Sequence, residues 1–238
     1  MFFTTKGDIP KGLGFQTFDQ THILWLLSCV LLCVAACVFY RKLSESKRKN
    51  ALIVLGVSIF LLEMLKNAVL LWLDEFSWGY LPFHLCGINI LLITFDILKQ
   101  TKVVRSFLYY FAIPGAALAL LFPNWTQLPQ WNFFNLHSFI IHILLVMYPL
   151  LLVTTGQADT DLMSAIKGVG LLIAMAIPVY FLNLLWDTNF MFLMEPDSGN
   201  PLEMFKNLLG SHLWGFPILL PVVIAVMYLP ARIFIKKR

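Results

Sequence analysis

Charge is scarce in this chain, and polar stretches are short. Only 13% of its 238 residues are Asp, Glu, Lys or Arg, against about 25% in an ordinary soluble domain. Hydrophobic residues make up 59%, and mean hydropathy is +0.79. No polar connection is long enough to hold a soluble domain, and there is no internal repeat or low-complexity tract. Cysteine is sparse too, with four in all. Cys29, Cys33 and Cys37 recur at i, i+4 and i+8 inside one apolar run without a CxxC pair, and read as small packing residues. Neither HExxH nor HxxxH occurs, so neither a metal site nor any cofactor is expected. The first 21 residues lack the basic start and cleavage site of a signal peptide, so the first apolar run is expected to stay as a membrane helix.

What the chain has is long apolar runs. Seven of them, near 22–40, 51–73, 81–98, 106–122, 133–153, 164–185 and 208–231, approach or exceed the roughly 17–25 residues a helix needs to cross a bilayer. The expectation is an all-α polytopic membrane protein, one domain of seven transmembrane helices. Residues 1–21 would cap the outer face, and 187–206 would form an outer interfacial loop that gates an entrance.

Orientation follows from the basic residues. Arg41, Lys42, Lys47, Arg48 and Lys49 follow run one. Lys99, Lys102 and Arg105 follow run three, Lys167 opens run six, and Arg232, Lys236, Lys237 and Arg238 follow run seven. The other side has only Lys6, Lys11 and Lys206, and gathers Asp8, Asp19, Asp74, Glu75, Asp187, Glu195, Asp197 and Glu203. The N-terminus is therefore expected outside and the C-terminus inside. The net charge of +4 is inner-side anchoring and no argument for nucleic acid, which is not an expected partner. Asp96 is expected to snorkel inward beside Lys99. Pro114-Gly115 predicts a kink or a close helix approach. Asn124-Trp125-Thr126 matches a glycosylation sequon, which has meaning only in a secretory-pathway host.

Leu81-Pro82-Phe83-His84-Leu85-Cys86-Gly87 is the densest chemical block. Pro82 predicts the first helical residue, which sets Cys86 about one turn inside the helix. The helix dipole there favours a thiolate, and burial opposes it. Other polar residues converge on the same depth. His22, His84, His137 and His212 fall near the outer ends of runs one, three, five and seven. His142, Glu63 and Asn67 lie deeper, and Asn189 lies in the outer loop. Glu63, Lys66 and Asn67 share one helical face, either as a self-neutralised packing pair or as the wall of a cavity. Ionisable groups in a bilayer usually face the bundle interior.

Three chemistries fit an outward polar chamber. In acyl transfer, Cys86 attacks a lipid ester and His137 or His84 moves the proton, with Glu63 or Asn67 orienting the base or polarising the carbonyl. His137 is the better base, because residues 84 and 86 on a regular helix point about 200° apart. Histidine-rich metal binding is the second, with no supporting spacing. The third is a solute-binding or transport subunit with no covalent chemistry.

Leu81–Cys86, Asn135-Leu136-His137-Ser138-Phe139-Ile140-Ile141-His142 and Thr188-Asn189-Phe190-Met191-Phe192-Leu193 resemble the YwaF-type family of bacterial integral membrane proteins, although Phe190 stands where a tyrosine is more usual. That family is similar to a eukaryotic transmembrane acyltransferase that places polyunsaturated chains on ether phospholipids, and more remotely to membrane hydrolases of fatty-acid esters. The resemblance implies lipid acyl transfer or hydrolysis in a bacterial cytoplasmic membrane. A phospholipid or other acyl-lipid would be the substrate, and Cys86 and His137 would carry the reaction.

Overall fold

The computed structural model describes residues 1–10, 12–196 and 201–234, the side chain of Phe234 excepted. Lys11, Asp197, Lys236, Lys237 and Arg238, which entered the reading of orientation, lie outside the described residues. Among the described residues the fold is all helical, without a strand.

Helix α1 spans Gln20–Lys42, with the Asp19 carboxylate accepting from the His22 N–H at its start. Helix α2, Glu45–Trp72, returns along it. Helix α3 covers only Leu85–Lys99. Helix α4 (Lys102–Phe107), a π-wound turn (Leu108–Ala112) and α5 (Ile113–Leu121) follow as one rod. Next come α6 (Phe133–Thr154), α7 (Leu162–Trp186), a short α8 (Pro201–Leu209) and α9 (Gly215–Phe234).

Among the described residues, six helical stretches are long and apolar enough to cross a bilayer: Gln20–Lys42, Glu45–Trp72, Lys102–Leu121, Phe133–Thr154, Leu162–Trp186 and His212–Ile233. The third apolar run differs from the sequence expectation. Its helix has 15 residues, about 22 Å at 1.5 Å per residue, short of a hydrocarbon core of about 30 Å. Its first four residues, Leu81–His84, are not helical. Pro82 therefore precedes the helix, His84 is the cap in extended geometry (φ −66°, ψ 154°), and Cys86 is the second helical residue.

The rod and α6 form the centre, and α1, α2, α3 and α5 pack on α6. Phe107, Tyr110, Phe139, Leu145, Tyr148 and Leu152 are fully buried there. Many leucines, valines and isoleucines of α1, α7 and α9 face outward, as expected where lipid replaces water. Gly56 brings α2 onto α3, since an added Cβ would meet Ile97 at 2.8 Å. Pro114 and Gly115 open α5, where Leu85 would lie 3.2 Å from a Cβ on Gly115.

Helix α3 nonetheless connects the two ends of the bundle. Its first turn lies beside the C-terminal end of α7 and the Phe190 turn, where Phe83 packs on Trp186 and Phe190. At its far end the Asp96 carboxylate accepts from Arg105 of α4 at 2.8 Å and from the Tyr148 hydroxyl of α6 at 2.9 Å. Asp96 is fully buried, so it turns inward rather than snorkelling beside Lys99. Gln157 completes this knot, donating to Tyr40 at the end of α1.

Candidate functional site

The polar groups at the other end centre on Glu63. Its Oε1 accepts from Lys66 Nζ at 2.5 Å, and its Oε2 lies 3.6 Å from Nε2 of His137 on α6. Both partners of the 3.6 Å contact are buried. That distance exceeds a hydrogen bond, and among the described residues His137 Nε2 has no bonded partner. Lys66 Nζ also sits 5.8 Å from the centre of the Tyr80 ring. Glu63 is the charged group whose field reaches the Cys86 sulfur. Lys66 bears in the same way on both His137 and His142.

Two asparagines add unmet polarity. Asn89, on the same face of α3 as Cys86 by i+3 spacing, is fully buried, and among the described residues neither amide atom is bonded. Asn67 has a buried, unbonded Oδ1. A buried polar atom without a partner costs about 1–3 kcal/mol, and buried polar groups nearly always have a partner, ordered water included.

The start of α3 is built by close packing. A Cβ on Gly87 would lie 2.6 Å from the Pro82 Cα. Only glycine lets Leu81–His84 fold back over the first turn. Leu85, Cys86 and Gly87 are the first three helical residues, whose N–H groups have no intrahelical acceptor. The His84 side chain makes no cap bond to them. Its ring packs against Phe190 and Phe192 at 5.3 and 5.6 Å. Because His84 stands outside the helix, the 200° separation expected on a regular helix does not apply to it.

Other residues grouped with the expected chamber have surroundings of their own in the structure. His22 is fully buried with both ring nitrogens engaged. Nδ1 accepts from the Phe18 N–H at 2.8 Å, and Nε2 lies 2.7 Å from the Leu120 carbonyl. It ties the N-terminal segment to α5. His142 Nδ1 lies 2.6 Å from the Ser138 carbonyl, and its ring stacks on Trp125. Asn189 stitches the segment after α7, accepting from the Met194 and Glu195 N–H groups and donating to the Glu195 carbonyl. His212 is buried in the turn before α9, its Nε2 unbonded among the described residues, and Glu195 of the segment after α7 is its charged neighbour. The N-terminal segment covers this end of the bundle: Asn132 holds the Met1 and Thr4 carbonyls, and Phe3 packs on Trp72 and Phe133.

The Asp96–Arg105–Tyr148 knot is absent from the sequence reading. One signal was available. Asp96 and Arg105 are almost equidistant from the break at Gln100–Thr101, and in a helical hairpin such residues face one another.

The family model for the TMEM164 family matches residues 17–229. The chain belongs to the TMEM164 family. This is a family of transmembrane proteins, in agreement with the six long apolar helices. No curated protein and no solved structure matches the chain. The match takes in both ends of this TMEM164-family bundle, the Glu63 cluster and the Asp96 knot alike.

Proposed function

We propose that this TMEM164-family protein is a membrane acyltransferase or lipid hydrolase working through a Cys86 acyl-enzyme. The observation that carries the reading is the Glu63 carboxylate, 3.6 Å from His137 and within electrostatic reach of Cys86. A histidine facing a carboxylate and a cysteine at a helix start are the residue types that covalent acyl transfer uses. His137 takes the thiol proton as sulfur attacks the ester carbonyl of a phospholipid-type substrate. First-turn N–H groups of α3 hold the developing oxyanion. The tetrahedral adduct collapses to a thioester, and the departing alcohol takes the proton from His137. An acceptor alcohol or water then attacks the thioester with His137 again as base, which regenerates Cys86. His84 is the second candidate base. The resemblance to YwaF-type proteins and to the ether-phospholipid acyltransferase agrees with this chemistry and with a bacterial cytoplasmic membrane.

In this reading α3 is the seventh span, its short helix lengthened by Leu81–His84, with the N-terminus outside. A reporter fused at Ser44 then reads as cytoplasmic, and an external signal there overturns the topology.

The test is a hydroxylamine-sensitive acyl label on the purified protein. Label on wild type that disappears in Cys86→Ser supports the acyl-enzyme. Full acyl transfer by Cys86→Ser removes it. The unbonded atoms of Asn67 and Asn89 favour a second reading, a solute-binding or transport subunit. That reading predicts saturable solute binding with no adduct.

A further inference from the structure

A cavity opens at the opposite end of α3 from Cys86. It has a volume of about 710 Å³ and lies between the start of α2, the end of α3, the start of α4 and the segment after α6. This is within the range of small-molecule sites. Its polar wall includes Arg48, Lys49 and Arg105, against Glu45 and Asp96. Asp96 is already matched by Arg105 and Tyr148, so Arg48 and Lys49 outweigh Glu45 at the mouth.

Three features aim at the same space. Arg105 is buried, spends its Nε on Asp96, and makes only a 3.4 Å contact from Nη1 to Gln157. Arg105 therefore keeps unspent donors on its terminal nitrogens at the wall of the cavity. Helix α2 begins at Glu45 and its cap residue Ser44 makes no side-chain cap bond, so first-turn N–H groups open beside Ser46. A helix N-terminus attracts anions. Arg48 is held in place by donating to the Tyr40 and Arg41 carbonyls at the end of α1. Leu52, Ile53 and Ile97 form an apolar floor under this rim.

We infer that the cavity is a binding site for a phosphate-bearing amphiphile, the headgroup of an anionic phospholipid from the leaflet at that end. The phosphate sits between Arg105, Lys49 and the start of α2, and the first methylenes lie on Leu52, Ile53 and Ile97. The apolar floor distinguishes such a ligand from free phosphate. The inference is independent of the Cys86 chemistry, which lies at the other end of α3.

The experiment uses the full chain, purified and placed in nanodiscs of phosphatidylcholine with increasing phosphatidylglycerol. Bound lipid is counted by native mass spectrometry. Wild type retains phosphatidylglycerol over phosphatidylcholine. Lys49→Gln lowers that retention roughly fivefold, the effect of one basic residue near an anionic headgroup. Lys47→Gln carries the same charge change on an exposed residue outside the cavity, and leaves retention unchanged. Equal loss in both variants, or no preference in wild type, overturns the site. Inorganic phosphate that displaces the lipid fully at millimolar concentration assigns the site to a soluble anion and also overturns the lipid assignment. Circular dichroism of both variants confirms that each is folded.

Discussion

Glu63 and His137 face each other across the α2–α6 interface with Oε2 and Nε2 3.6 Å apart, while Oε1 of the same carboxylate is held by Lys66 at 2.5 Å. One carboxylate thus serves two cationic or basic groups on two helices. Neutralising it should be felt twice. Glu63→Gln leaves Lys66 without its counter-charge in a largely apolar setting. The expected cost is about 3 kcal/mol, the low end for a broken buried pair, because Lys66 keeps 18% side-chain exposure. Thermal unfolding in detergent reads this loss. The double variant Glu63→Gln/Lys66→Met should recover part of it.

The acyl-enzyme reading separates the roles of two histidines. His137→Ala should abolish the acyl label at Cys86. His22→Ala, which breaks a structural tie to Leu120, should lower the melting temperature and leave labelling of the folded fraction intact. Equal labelling of His137→Ala and wild type removes His137 as base.

Gly87 leaves no room for a methyl group. Gly87→Ala must push the Pro82 backbone away, at a cost of roughly 1–3 kcal/mol for overpacking. The same shift moves Leu81–His84 off the first turn of α3. Labelling of Cys86 by a small maleimide should therefore become faster. An unchanged rate contradicts the packing.

The Asp96 knot is a second point of high cost. Asp96→Asn leaves the buried Arg105 guanidinium without its carboxylate and takes the charged acceptor from Tyr148, for about 3–5 kcal/mol. Tyr148→Phe removes one bond of the same network and costs about 1–2 kcal/mol. Unfolding of the two variants in parallel gives the ratio.

Acid sensitivity follows from the helix caps. Asp19 accepts from the Gln16 and His22 N–H groups, and Asp161 from the N–H and hydroxyl of Ser164. These bonds hold both carboxyls below the usual carboxylate range. A depressed folded-state value means the stabilisation is complete above the unfolded value, near pH 4, and fades as pH falls through the folded one. Asp161→Ala should cost about 1 kcal/mol at neutral pH, as for a lost cap. Its melting temperature should fall less than that of wild type between pH 5 and pH 3.

Much of the molecule was legible in its residues. Six of the seven apolar runs are helices of spanning length, because a bilayer demands internal satisfaction of every backbone group and a long apolar run can meet that only as a helix. The polar face of Glu63, Lys66 and Asn67 was legible too, since helical periodicity alone puts those residues together. The third run was misjudged in length. Gly87 allows the backbone of Pro82 to fold onto the helix, so the apolar residues before it form a turn and His84 becomes a cap.

Hydrophobic patterning and charge placement by themselves determined that this is a helical membrane protein with its rarer polar residues turned inward. Only tertiary structure decided which of them meet. A histidine of the right depth can sit on a carboxylate, as His137 does, or on a carbonyl, as His22 does, and one-dimensional spacing is the same for both. Partners that lie 74 residues apart, such as Glu63 and His137, are chosen by helix rotation and packing, which depend on the volume of every side chain between them.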